Sequence, residues 1–511
     1  MKSGFQNFNF AALAIFCFLF IPADVSSDPI PPSSGILNSP TESVCEYRFE
    51  DGVKIRVYFT DQTLQKYGED GQFPKDVLDA AVGAYQTITQ FLGFSTPGYT
   101  FAKPDKNYAY DPDRTIDIYL GDPNEKRFKD APCFDILKLS DTQFQALILL
   151  PVNYKAFIHN WECLNPSLLG ARNISVDLKG TLIHEMLHVI LFYYNKNLNK
   201  EFQQALATGP GAGERPSSKE IDWYVEGLAR YFETFAGARH DFFSQGFKQT
   251  FPDRIRFSRG GSNYFMRYPD QAFTHLRYEN AIFWRFIDER YGMKTIEALS
   301  RDFRNAEPEG FKGAVERATG VPFNELLKAF AAAILFKDFN LKEDSVYLQD
   351  IAKTHLLYKN ENLCLVDGFG REKRLGKVCR TDWIGQWGAI AAALGEFPVG
   401  GDNTQESDVS GWATDFYQID LESGISSLPW LGVWHTEGGE GLAVQVFLVT
   451  RGGSWISREI QNIKKSTLEG LALDKEIRRE GLETKDIQKI YLLITNTDPK
   501  ILSHYEIVIK S

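Results

Sequence analysis

The sequence predicts an α+β fold in which a small mixed sheet and a set of helices precede an all-β sandwich. Three observations lead to this expectation: strand and helix patterns mixed in the first part of the chain, helical spacing in the middle, and alternating runs between turns at the end. The 511 residues, 43% of them hydrophobic, provide enough material for two or three cored domains. The net charge of −11 does not favour nucleic acid or an anionic membrane surface as a partner.

The first 27 residues are predicted to be a signal peptide. Lys2 precedes an unbroken apolar run at 11–21, and small residues suited to cleavage follow it. That run is too short to remain as a membrane anchor, and no other long apolar run follows. We therefore expect a secreted, periplasmic or cell-envelope protein whose mature chain has no membrane span. Residues 28–43, rich in Pro and Ser, are expected to form a flexible leader.

The elements follow from the spacing of apolar residues. Alternation predicts a strand at 53–59, the runs at 116–120 and 146–150 predict two more, and spacings of three and four predict an amphipathic helix at 77–91. Helical spacing returns between about 278 and 340. Short runs rich in Val, Ile, Leu and Tyr then predict the strands of a β-sandwich at 416–421, 442–449, 491–495 and 505–509.

These patterns divide the chain into a first domain at 44–345, a connector at 346–380 and an accessory sandwich domain at 381–511. We leave open whether the last of these binds substrate, a surface or a partner protein.

The cysteines also bear on the connector. Export permits disulfides. Cys364 and Cys379 bracket a loop rich in Gly, Lys and Arg and are the first candidate pair, with Cys133 and Cys163 as the second. Cys45 then remains as the odd cysteine, although spacing alone does not determine connectivity.

The strongest chemical signal is the run His184-Glu185-Met186-Leu187-His188. On a helix, residues four apart lie on the same face, so both imidazoles can reach one metal ion. Catalytic zinc uses three protein ligands and an open fourth position, and Glu226 is the candidate third ligand. The sequence therefore predicts one Zn²⁺ ion held by His184, His188 and Glu226. The alternative is an amphipathic helix whose two histidines have only structural partners.

The neighbouring acids suggest supporting roles. Glu185 points in another direction around the helix and is the candidate general base for water activated by the metal. Glu226, Arg230 and Glu233 share one helix face. Glu233 is the candidate carboxylate that orients a ligand histidine, with Asp222 as second choice. Alternatively, Arg230 and Glu233 form an ordinary surface ion pair.

Together these motifs resemble the gluzincin metallopeptidases, the peptidase MA-like group defined by H-E-x-x-H with a distant glutamate ligand. The nearest pattern is that of the aminopeptidase N branch, N-E-G-x-x-x-Y-x-E. Val225 replaces the Asn, whereas Glu226, Gly227, Tyr231 and Glu233 align without gaps. The resemblance covers roughly residues 50–340. It implies a thermolysin-like zincin catalytic domain with a helical C-terminal lobe, hydrolysis of peptide bonds, and a peptide or protein as substrate.

The same branch carries a tyrosine in a Y-x-K-G-A context that hydrogen-bonds the oxyanion. Tyr278 begins a comparable segment here, although Asn280 stands in place of Lys. The resemblance implies that Tyr278 is this donor, a role that pre-positioned hydroxyl groups fill effectively. The alternative is that Tyr278 merely packs, with His275 and Tyr291 as reserves.

One element of the family is missing. The G-x-M-E-N signature, which binds a substrate's free amino terminus on an edge strand, does not occur before His184. Where that strand is expected, Ala146 to Pro151 offers no carboxylate. We therefore expect an endopeptidase. The alternatives are an aminopeptidase-type hydrolase on the same site and a binding or adhesion protein with a vestigial peptidase fold.

Overall fold

The protein is described by a computed structural model, and its described part is a mixed α+β protein, as the sequence predicts. The described residues are 42–91, 93–94, 115–125, 128, 133–138, 144–152, 174–194, 219–233, 280–302, 308–336, 338–339, 358–366, 372–381, 404–409, 411–421, 427–438, 441–460, 463–498 and 501–510.

The first sheet has five strands, with parallel pairing at its centre. In chain order the strands are β1 (Glu42–Arg48), β2 (Lys54–Thr60), β3 (Thr115–Gly121), β4 (Cys133–Lys138) and β5 (Phe144–Pro151). Their order in the sheet is β1-β2-β3-β5-β4, where β2, β3 and β5 are parallel and β1 and β4 pair antiparallel with their neighbours. The strands predicted at 53–59, 116–120 and 146–150 are confirmed as β2, β3 and β5.

The expectation that Ala146–Pro151 forms the edge strand is wrong. β5 lies between β3 and β4, so among the described strands β4 is the edge strand on this side of the sheet and β1 the one on the other. The edge strand carries Asp135, which is in register with Leu147 of β5. The run Ala146 to Leu150 is apolar throughout and buried, as is typical of a strand covered on both faces.

Helices make up most of the other described residues of the N-terminal region, residues 42–339, and some of them pack against this sheet. The helix predicted at 77–91 is confirmed, because α2 continues into a π-helix at Thr87–Phe91. In chain order the α-helices are α1 (Asp61–Lys66), α2 (Gln72–Gln86), α3 (Ile174–Tyr194), α4 (Lys219–Tyr231), α5 (Ala281–Tyr291), α6 (Met293–Arg301), α7 (Pro308–Thr319) and α8 (Phe323–Phe336).

The C-terminal strands form two antiparallel sheets, called here the sandwich, around a second hydrophobic core. A short helix, α9 (Leu473–Arg479), accompanies them. The strands are β6 (Tyr358–Val366), β7 (Glu372–Thr381), β8 (Thr404–Val409), β9 (Thr414–Leu421), β10 (Trp430–Glu437), β11 (Leu442–Thr450), β12 (Trp455–Ile460), β13 (Leu468–Ala472), β14 (Ile487–Asn496) and β15 (Ser503–Lys510). One sheet has the order β13-β10-β15-β8 and the other β12-β11-β14-β9-β7-β6. The four predicted strands lie within β9, β11, β14 and β15.

The boundary expected at residue 381 differs from the structure. β6 and β7 fall in the predicted connector at 346–380, yet β7 pairs with β9 and extends the six-stranded sheet. The two strands are rich in charged and polar residues, so their apolar alternation is weak in the sequence.

The expected Cys364–Cys379 disulfide does not fit this register. Cys364 is opposite Arg374 and Cys379 is opposite Asn360, so the two cysteines are offset by four residues along the strand pair. That offset corresponds to roughly 13 Å, beyond the reach of about 7 Å between the Cα atoms of a disulfide. Cys45 is free, as expected of the odd cysteine, and it is buried. Cys163, the second partner of Cys133, lies outside the described residues.

The sandwich packs directly on the N-terminal region. Trp412, Phe416, Phe447 and Leu493 belong to the same hydrophobic cluster as the helices. At the far end of α8, the Phe336 ring stacks on Trp455 of β12, with centroids 4.9 Å apart and an interplanar angle of 12°. The two parts therefore share an apolar interface.

Among the described helices, none is by itself long and apolar enough to cross a membrane. One pair, Gly310–Thr319 with Phe323–Phe336, meets the length and composition requirement together but is bent by 79°.

Candidate metal centre

Two histidines lie one turn apart on helix α3. The ring centroids of His184 and His188 are 4.8 Å apart, as the i, i+4 spacing requires. Both side chains are buried, because α3 is apolar on most sides and runs through the hydrophobic core. The helix therefore holds two imidazoles next to each other where water has little access.

Glu226 on α4 completes a cluster of three possible metal ligands. Its Oε2 atom lies 3.2 Å from Nε2 of His184 and 3.8 Å from Nε2 of His188. One ligand atom from each residue lies within 4.8 Å of the other two. Glu226 is only partly buried, so its side of the cluster is the more accessible one.

The spacing of these atoms fits a tetrahedral zinc ion. Zinc binds histidine nitrogen and carboxylate oxygen at roughly 2.0–2.2 Å, so two tetrahedral ligands lie roughly 3.3 Å apart. The distances of 3.2 and 3.8 Å from Glu226 to the two histidines are close to that value. Two imidazoles and one carboxylate also match the three-ligand sets of catalytic zinc, which leave a fourth position open. The residues present therefore fit the metal that the motif predicts.

A buried carboxylate contacts the other nitrogen of His184. Oε2 of Glu233 lies 3.2 Å from Nδ1 of His184 and 2.8 Å from Nη1 of Arg230. The side chains of Arg230 and Glu233 are 10% and 3% exposed, so they do not form the surface ion pair considered as an alternative. Ligand histidines commonly donate their second N–H to a carboxylate, which fixes the ring orientation. Glu233 is therefore close enough to His184 to be a candidate for this role.

The charge balance of the cluster favours a cation. Burial by itself lowers the pKa of His184, but contacts with Glu226 and Glu233 and the charge of Glu185 raise this pKa to about 10. The carboxylates of Glu226, Glu233 and Glu185 thus lie near this imidazole. A buried group of carboxylates favours a positive charge nearby, which a metal ion can supply.

Two contacts that sequence reasoning missed hold α4 in place. The Tyr231 hydroxyl donates to the Asp288 carboxylate of α5, and the Tyr224 hydroxyl lies 3.1 Å from Oγ of Ser300 in α6. Asp288 is 2% exposed. An acidic residue such as Asp288 among the apolar residues of α5 indicates a buried polar contact. Its partner, Tyr231, lies 57 positions earlier in the chain. Local spacing does not identify such a partner.

The other predicted site residues are not part of this described cluster. Tyr278 and the reserve His275 lie outside the described residues, as does the side chain of Asp222. Tyr291, the second reserve, is the last residue of α5 and packs against the hydrophobic core. Burial there raises the pKa of the Tyr291 phenol.

No family model matches this sequence, and no curated protein matches it. Among solved structures, the chain is similar to Legionella pneumophila aminopeptidase A in complex with aspartic acid, at 12% identity and a TM-score of 0.31. That match covers 90% of this chain and 36% of the other, so the chain spans about a third of that protein's length. A carbohydrate-binding module of the β-sandwich superfamily matches 30% of this chain and 75% of its own, at 13% identity and a TM-score of 0.15. Scores this low do not establish a shared fold.

Proposed function

We propose that this protein is a zinc-dependent peptidase that hydrolyses peptide bonds. The observation that carries the proposal is the convergence of His184, His188 and Glu226 in one buried cluster, with Glu185 beside the first ligand. Zinc bound by these three residues supplies a Lewis acid that polarises a carbonyl group and lowers the pKa of water. A general base next to such an ion supports hydrolysis over a purely structural role.

Glu185 is the proposed general base. It follows His184 on α3 and therefore lies about 100° further around the helix, next to the ligands without being one of them. Its side chain is buried beside the cluster. Glu185 takes a proton from the water that attacks the peptide carbonyl, and it passes a proton to the leaving amine.

Glu233 and Arg230 orient the first ligand. We assign the mobile proton of His184 to Nδ1, the nitrogen nearest Glu233, so that Nε2 presents its lone pair on the side of Glu226. Arg230 lies 2.8 Å from Glu233 and stabilises the charged form of that carboxylate. The result is a single tautomer of His184 suited to metal binding.

Tyr278 is the proposed hydrogen-bond donor to the oxyanion, on the basis of the family resemblance. One observation on its neighbour supports this placement. Asn280, two residues later, is fully buried at the start of α5, and its Nδ2 donates to the Trp223 carbonyl oxygen of α4 at 3.4 Å. The chain after Tyr278 thus adjoins the helix that carries Glu226.

We further propose that the enzyme is exported and cuts within peptide chains. Export is supported by the apolar run of the predicted signal peptide at 1–27. The sequence of the edge strand β4 contains an acidic residue, Asp135, so the lack of a carboxylate in Ala146 to Pro151 no longer bears on this question. The preference for endopeptidase action therefore depends on the missing G-x-M-E-N signature alone. A strand edge of this kind can pair with an extended peptide.

The test compares Glu185→Gln with Glu325→Gln in the full chain. Glu325 lies on α8 with a 53% exposed side chain, so its variant is a matched control. We expect Glu185→Gln to keep zinc and to lower kcat/KM by about 10²–10⁴-fold, while the control remains unchanged. Full activity in Glu185→Gln contradicts the proposal.

A panel of peptides with blocked and unblocked amino termini tests the cleavage mode. We expect the enzyme to cleave the blocked peptides, whereas cleavage of unblocked peptides alone supports the aminopeptidase alternative.

A further inference from the structure

Trp412 belongs to the sandwich but packs into the core of the N-terminal region. It lies just before β9 and is 3% exposed. Its ring centroid is 4.6 Å from Phe323 of α8, 6.3 Å from Phe311 of α7 and 6.4 Å from Trp223 of α4. A single side chain of the sandwich therefore contacts three helices, one of which carries Glu226.

Trp223 links this aromatic cluster to the metal centre. It precedes Glu226 by three residues on α4, so a rotation or shift of the helix moves both side chains together. Trp223 also packs edge-on against Phe311, with centroids 4.4 Å apart. Because Glu226 is the ligand contributed by α4, its distance from the histidines of α3 depends on the contacts that hold α4.

The backbone of the sandwich sets the position of Trp412. Its N–H donates to the Asp498 carbonyl at 3.1 Å, and its Nε1 donates to the Thr497 carbonyl at 3.2 Å. Both acceptors follow directly after β14. Trp412 has a φ of +53°, a left-handed conformation that a side chain of this size adopts only where its surroundings enforce it. The indole therefore projects from a fixed point of the sandwich.

We propose that Trp412 is a positioning residue for the metal centre and that the sandwich is a structural part of that centre. Trp412 holds Trp223, and Trp223 holds α4 at the distance where Glu226 can share an ion with His184 and His188. This inference rests on the proposed zinc site. It predicts that a change in the sandwich alters zinc affinity without touching a ligand.

The experiment measures zinc affinity of the full chain by competition with a chromophoric chelator, alongside thermal unfolding. The main variant is Trp412→Leu, and Trp412→Phe is the conservative rescue. Trp455→Leu is the matched control, because Trp455 contacts Phe336 at the same interface but far along α8 from its first residue, Phe323. We expect Trp412→Leu to weaken zinc affinity about tenfold, Trp412→Phe to restore most of it, and Trp455→Leu to leave it unchanged while lowering Tm.

Unchanged zinc affinity in folded Trp412→Leu overturns the inference, as does an equal loss in Trp455→Leu. If Trp412→Leu does not fold, a double-mutant cycle of Trp412→Met, which removes the aromatic ring, and Trp223→Phe replaces it. Non-additive effects on zinc affinity support the inference, and additive effects overturn it. Wild-type protein that binds no zinc overturns the proposed function itself, which distinguishes the two failures.

Discussion

His184 in the N-terminal region and His435 in the sandwich are both buried, yet their pKa values shift in opposite directions. His435 is 0% exposed, and burial lowers its pKa, although its Nε2 lies 3.0 Å from the Glu437 carbonyl oxygen. The charges of Lys465 and His504 lower it further. The pKa of His184 is raised to about 10 because carboxylates contact it. Burial alone thus disfavours the charged form of an imidazole, whereas converging carboxylates favour a positive charge at His184.

Removal of one imidazole from each region should give the largest contrast. His188→Ala deletes one of three ligands, so we expect zinc affinity to fall by on the order of 10³-fold or more and activity to be lost. His435→Ala should keep full zinc affinity and activity. It should lower the free energy of unfolding by about 1–3 kcal/mol, since it removes a fully buried ring and its hydrogen bond to the Glu437 carbonyl. Chelator competition and urea unfolding measure both effects. Retention of zinc by His188→Ala runs against the assigned ligand set.

Loss of the orienting carboxylate should have a smaller effect. Glu233→Gln keeps the shape of the side chain but removes the charge that faces Nδ1 of His184. We expect zinc affinity to fall about 10–100-fold, as is typical for carboxylates that orient a ligand. Glu325→Gln is again the control, and isothermal titration with zinc is the measurement. Equal affinity in wild type and Glu233→Gln shows that this carboxylate does not orient the ligand.

The smallest effect concerns pH and the stability of the metal-free protein. The raised pKa of His184 stabilises the folded state fully below about pH 6.5, and this contribution is lost as the pH rises through about 10. The pKa of His435 is lowered, so its contribution to stability depends on pH in the opposite way. The neutral His435 stabilises the folded state above the ordinary histidine pKa of about 6.5, and this contribution is lost as the pH falls below that value.

Thermal unfolding of metal-free protein between pH 5 and 10 separates these contributions. His435→Gln does not titrate but can still donate to the Glu437 carbonyl. We therefore expect this variant to lose part of the acid-side decrease in Tm and to keep the decrease on the alkaline side. An unchanged acid-side decrease shows that His435 does not contribute to it.

The ligands themselves could be predicted from sequence because their geometry is local. His184 and His188 are brought together by the pitch of a single helix. Glu226 and Glu233 lie seven residues apart on a second helix, so their common face also follows from local spacing. The four core strands of the sandwich were likewise visible as alternating apolar runs.

The parts that could not be predicted depend on long-range pairing. The position of β5 inside the sheet, with β4 at the edge, is a property of strand order, which local apolarity does not encode. The membership of β6 and β7 in the sandwich depends on pairing with β9. The contact of Trp412 with Trp223 joins residues far apart in the chain, so neither residue stands out by its neighbours.

The central claim is that ligands from two helices converge on one zinc ion. Elemental analysis of the purified full chain, paired with Glu226→Leu, tests it most directly, since Glu226 is the only one of the three ligands contributed by α4. We predict about one zinc ion per wild-type chain and a strongly reduced content in the variant. Wild-type protein without zinc, or a variant that retains it in full, would contradict the account.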